Sequence, residues 1–145
     1  MKNILFGLAL ATLAFTFVPA NADPLADREA VMKANGKAVG ALVPIVKGEA
    51  PFDAAVVAAG LAVLNDSAKA IDTAALFPDN LAGESGSPKI WEDRAGFTAA
   101  MDKFKADAAA AAASPAEDLA AFQAQFGTVT QNCSACHETY RIKKG

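Results

Sequence analysis

Histidine occurs once in this sequence, at position 137, and cysteine only twice, at 133 and 136. A zinc centre built on about four Cys and His ligands is therefore short of donors. A disulfide framework is excluded too, because a bridge between Cys133 and Cys136 would close a very short loop and stabilise little. No segment alternates apolar and polar residues over a useful length, so strands are not expected. Thirteen Lys and Arg stand against 16 Asp and Glu, a formal charge of −3. That balance offers no basic face of the kind that grips nucleic acid. Beyond residue 22 no apolar run reaches the roughly 20 residues needed to cross a bilayer, so no membrane insertion of the mature chain is expected.

What is present begins with one long apolar run, Ile4 to Val18, preceded by Lys2 and closed by Ala20-Asn21-Ala22. A positive start, a short apolar stretch and a small-x-small site form a secretory signal peptide, cleaved after Ala22. No Cys lies near that site, which excludes a lipoprotein. Cleavage leaves 145 − 22 = 123 residues, one domain over 23–145, with 12 Lys and Arg against 16 Asp and Glu. A chain of that size can build a proper core.

The mature chain reads as four helical segments, roughly 24–47, 53–76, 88–113 and 115–143. Asp23-Pro24, Ser87-Pro88 and Ser114-Pro115 each pair an N-cap residue with Pro at the first helical position. Glu117 completes a capping box with Ser114, and Asp53 offers a fourth start. Apolar seams step by three and four: Leu25, Arg28, Met32, Asn35, Val39, Leu42, Val46 in the first segment, and Leu119, Phe122, Phe126, Val129, Cys133, Cys136, Tyr140 in the last. Four amphipathic helices with short links predict an all-α fold, an antiparallel up-down four-helix bundle.

Cys133-Ser134-Ala135-Cys136-His137 then carries the chemistry. Positions i, i+3 and i+4 share one helix face. Two thiols there can each add to a vinyl group of one haem, while the adjacent imidazole points at the iron as an axial ligand. Thiol–disulfide oxidoreductases also use Cys-x-x-Cys, but at the start of a helix in an α/β fold, where the dipole lowers a thiol pKa. Here the motif ends the last helix of an all-α chain. The expected cofactor is one covalent haem c, held by Cys133 and Cys136 with His137 on the iron. A second His ligand is impossible. The sixth position is left to Met, to a weaker ligand or to nothing, and only Met32 and Met101 survive removal of the signal peptide.

A Cys-x-x-Cys-His on the last of four helices resembles the cytochrome c-prime family, across essentially the whole mature chain. Arg28, Met32, the segment from Val43 to Gly48, Ala50-Pro51-Phe52-Asp53 and Arg141 match family features. Met32-Lys33-Ala34-Asn35-Gly36-Lys37, Leu76-Phe77-Pro78-Asp79 and Ser87-Pro88-Lys89-Ile90-Trp91 are most similar to the low-spin cytochrome c-556 branch. In that branch a Met at the position of Met32 is the sixth ligand and the protein is an electron carrier. In high-spin members the side chain there only fills the distal pocket, the iron is five-coordinate, and nitric oxide or other diatomic gases bind. The resemblance thus implies a periplasmic, non-enzymatic one-electron carrier with His137 and Met32 as ligands, the gas binder being the alternative. It implies redox partner proteins, and a homodimer as in many members of the family.

The seams favour Met32 over Met101, because first and last helices of an up-down bundle are neighbours able to sandwich a flat cofactor. Arg28 interrupts an apolar seam one turn before Met32 and is a candidate for a haem propionate contact, with a snorkelling side chain as the bland alternative. Arg141, one turn after His137, is a candidate for the haem edge or simply a cation favoured by the helix C-terminus.

Overall fold

The computed structural model describes residues 23–142 apart from 80, 82 and 84; the signal peptide expected over 1–22 lies outside the described residues. Six helices follow one another: α1 Pro24–Val46, α2 Ala54–Lys69, α3 Thr73–Leu76, α4 Lys89–Glu92, α5 Arg94–Ala113 and α6 Leu119–Tyr140. The four long ones form the antiparallel bundle. Each packs on two neighbours in the cyclic order α1, α2, α5, α6.

Local chemistry sets most of the ends. The Asp23 carboxylate accepts from Leu25 N, with Pro24 opening α1, and Asp53 accepts from Ala55 N and Val56 N at the start of α2. Gly48 takes φ +72° in the turn between them, a conformation that favours glycine. Apolar side chains from all four long helices meet inside, with Leu42, Leu61, Leu64, Phe97, Phe122 and Val129 almost wholly buried. Close approach of α1 to α2 depends on Gly60, where a Cβ would come within 2.5 Å of the Leu42 side chain.

Four boundaries differ from the sequence reading, three of them where an aspartate caps in place of the expected signal. The second segment stops at Lys69, and Asp72 Oδ1 accepts from Ala74 N and Ala75 N to start the one-turn α3. The third segment breaks at Asp93, whose φ of −126° leaves the helical region and whose carboxylate caps α5 through Gly96 N at 3.1 Å. The last long helix begins at Leu119 rather than 115, because Asp118 accepts from Ala121 N at 2.8 Å. Ser114 instead closes α5, and Gln125 braces the turn by donating to Ser114 O and accepting from Ala116 N. The same helix ends at Tyr140, short of the expected 143.

The segment from 70 to 93 folds over the end of the bundle where α1 begins and α6 ends. Phe77 stacks edge-on against Phe97 at 4.8 Å, and Phe97 against Tyr140 at 5.2 Å. Trp91 Nε1 donates to Pro78 O, and Arg94 donates to Phe77 O. The chain beyond α6 is also tied down: Gly86 and Arg141 form an antiparallel bridge, with Ser87 N donating to Tyr140 O and Ile142 N to Ser85 O.

Candidate functional site

Cys133, Cys136 and His137 occupy the last turns of α6, as the motif required. Both cysteines are free thiols and half-buried; His137 is exposed. Burial pushes the Cys133 thiol above its ordinary range, and burial together with the neighbouring Cys133 does the same to Cys136. These are protonated thiols, unlike the low-pKa thiolate of a disulfide oxidoreductase. Although the residue is exposed, partial desolvation of its ring first and the nearby Arg141 cation second hold His137 below its usual pKa. Its imidazole is therefore neutral at neutral pH, the form that binds a metal. Among the described residues no three His, Cys, Asp or Glu side chains converge as a bare metal site.

The position of Met32 follows from a contact at the far end of the bundle. Gln123 Nε2 donates to Val46 O at 2.7 Å, pinning α6 to the end of α1. The two helices are antiparallel. Fourteen residues back from Val46 is Met32, since 46 − 14 = 32; fourteen forward from Gln123 is His137, since 123 + 14 = 137. At 1.5 Å per residue both spans are about 21 Å, so Met32 and His137 are level across the α1–α6 pair. Fourteen residues is also close to four helical turns. Met32 thus shares the α1 face of Val46, and both pack against the core. Met32 is partly buried against the core, whereas Met101 is buried within it on α5.

The same register places Arg28 level with Arg141, one turn beyond the Met32–His137 plane. Arg28 is buried and donates from Nε and Nη2 to Leu76 O at 3.1 and 2.8 Å, and from Nη2 to Leu81 O at 3.0 Å. Its guanidinium lies 4.1 Å from the Phe77 ring centroid. Arg141 is exposed. Sequence reasoning missed the carbonyl braces of Arg28, the cap at Asp93 and the register contact of Gln123. Only Asp93 left a trace, as an N-cap type three residues ahead of Gly96.

Four buried polar atoms have no partner among the described residues: Asn35 Oδ1, Asn65 Oδ1, Ser67 Oγ and Thr73 Oγ1. Native interiors rarely leave such groups unpaired without a bound group or water nearby. Asn35 is one turn from Met32; its Nδ2 bonds back to Val31 O, which leaves the oxygen turned inward. Two neutral thiols a turn apart, a neutral imidazole beside them, a thioether level with it and unpaired oxygens in the same half form a donor set that suits a covalently attached haem.

Comparison with known proteins agrees. The family model described as cytochrome c' matches residues 23–141. A cytochrome c' of Rhodopseudomonas palustris is 40% identical over 138 residues, covering 93% of this chain and 92% of that protein. A cytochrome c-556 of Agrobacterium fabrum is 39% identical over 122 residues, covering 81% and 80%. Among solved structures, cytochrome c' from Rhodopseudomonas palustris superposes with a TM-score of 0.77 at 38% identity, covering 86% of this chain and all of that one. Fold, motif and likeness agree, and the chain belongs to the cytochrome c' family.

Proposed function

We propose that this protein is a periplasmic one-electron carrier with one covalent haem c, ligated by His137 and Met32. The observation that carries the reading is the level placement of Met32 and His137 on neighbouring antiparallel helices. A haem bound there supplies the one-electron couple. The protein's part is to hold it: Cys133 and Cys136 fix one edge through thioethers, His137 supplies the strong ligand and Met32 closes the other side. Met/His ligation raises a reduction potential and leaves no open position for a gas. Arg28 and Arg141, level with each other one turn away, are suited to the two haem propionates, whose charge would otherwise lie beside an apolar core. No described helix is long and apolar enough to cross a membrane, and export by the N-terminal segment agrees with a periplasmic carrier serving redox partner proteins. The homodimer remains an expectation of the resemblance.

The visible spectrum of the reduced protein tests the ligation. Sharp, separate bands indifferent to carbon monoxide are expected; a broad merged band and prompt carbon monoxide binding would establish the five-coordinate gas binder instead. Met32→Ala should convert the first spectrum into the second. A Met32→Ala protein that stays low-spin rules Met32 out. Mass spectrometry of the intact chain should show a single haem adduct.

A further inference from the structure

We propose that Tyr140 is a positioning residue for His137, locking the rotation of α6 about its own axis through the N-cap of α5. The proposal rests on His137 as an axial ligand. His137 stands in the final turn of α6, where carbonyls lack helical partners and helices fray. A ligand in a fraying turn would sample several ring orientations. Here the turn is clamped on both sides of Tyr140, one turn after His137.

The side chain forms the inner clamp. Tyr140 is buried, its ring packs edge-on against Phe97, and Oη donates to Asp93 Oδ2 at 2.9 Å. The backbone forms the outer clamp through Ser87 N to Tyr140 O at 3.0 Å and Ile142 N to Ser85 O at 2.9 Å. Asp93 is itself held by two further hydrogen bonds. Its other oxygen, Oδ1, caps Gly96 N, and its backbone N–H donates to Lys89 O at 3.0 Å. One carboxylate therefore serves two tasks, one oxygen starting α5 and the other holding the end of α6.

Gly96 makes that sharing possible. A Cβ there would lie 2.7 Å from Tyr140 Oη and closer still to the Asp93 carboxylate. Gly96 sits in the first turn of α5 without a left-handed φ, so its role is close approach rather than backbone freedom. Cys136, four residues before Tyr140, shares its face. The lock thus bears on the thioether and the imidazole together.

The test uses the haem-loaded protein. Tyr140→Phe removes the Oη donor and leaves the Asp93 cap intact. It should keep its helix content and haem, yet broaden the ferric electron paramagnetic resonance signal and the paramagnetically shifted proton resonances of the haem, with a shift in midpoint potential. Gly96→Ala should reproduce these changes by forcing Tyr140 and Asp93 apart, although alanine is the better helix former. Gln125→Ala, which loosens the opposite end, should lower the melting temperature without touching either spectrum. Wild-type line widths in both Tyr140→Phe and Gly96→Ala overturn the proposal, and if Tyr140→Phe does not fold, Gly96→Ala alone decides. Equal broadening in Gln125→Ala overturns it as well, by reducing the effect to general stability. A wild-type protein without haem-bound His137 overturns the ligand reading, and the lock with it; that failure is visible in the wild-type spectrum before any variant is made.

Discussion

The two ends of the bundle are held by different physics. At the turn end, where residues 47–53 and 114–118 reverse the chain, Phe52, Phe122 and Phe126 pack in series and the turns are short. At the site end, the 24 residues 70–93 link α2 to α5, and the described ones among them brace the bundle with polar contacts. Arg28, Trp91 and Arg94 donate to backbone carbonyls there, and Tyr140 to a carboxylate. All four unpartnered buried polar atoms fall on this side or at its border. The turn end is a self-sufficient apolar core. The site end is a frame, in which polar braces tie the 70–93 segment to the start of α1 and the last turn of α6.

The largest test of that contrast removes the two thiols proposed to anchor haem. In Cys133→Ala/Cys136→Ala, hydrogen exchange should accelerate by at least about tenfold, roughly 1.4 kcal/mol of local opening energy, in the first half of α1 and the second half of α6, while peptides around Phe122 stay protected. Uniform loss across the chain would erase the distinction. Core truncation comes next. Phe122→Ala should cost about 3–5 kcal/mol in denaturant unfolding with or without haem, because its pocket is complete in both. Phe97→Ala should cost a similar amount in the haem-loaded form and less without haem, where its surroundings are already loosened.

Polar braces give a smaller effect. Arg28→Ala strips charged donors from the carbonyls of Leu76 and Leu81 and should cost about 2 kcal/mol by the same measurement. Gln123→Ala, whose bond is exposed, should cost about 0.5–1 kcal/mol. Smallest is a pH effect at Tyr140, whose phenol is pushed above its ordinary value by burial first and by Asp93 second. An acid kept neutral in the fold stabilises fully below its unfolded pKa of about 10. That contribution disappears as pH rises through the higher folded value, because only the unfolded chain ionises. Melting temperatures of wild type should therefore fall more steeply above about pH 10 than those of Tyr140→Phe.

The turn end was the more legible of the two in the sequence. Its seams, Leu42 with Leu61 and Phe122 with Phe126, repeat at helical spacing and need no partner outside their own pattern. The placement of Cys133, Cys136 and His137 on the last helix was legible for the same reason, their spacing being i, i+3 and i+4. The braces of the site end were not. Arg28 and Arg94 bond to main-chain carbonyls of α3 and of Phe77 and Leu81 just after it, and a carbonyl has no residue type to betray it. Asp93 and Tyr140 are 47 residues apart and pair only through the fold. The Ser114-Pro115 start was misleading because the helix begins four residues later, where Asp118 caps Ala121 N, while Ser114 ends α5.

The Gln123–Val46 hydrogen bond has a mechanical consequence. A helix is stiff along its axis, so two helices pinned together at one end act as rulers with a common zero. Slippage of one by a single turn would carry Met32 about 5.4 Å past His137, more than any iron–sulfur bond could span. The level placement of Met32 and His137 is thus set against a mark about 21 Å away, and a substitution at that mark, remote from both, is a test of the proposed ligation that touches neither side chain.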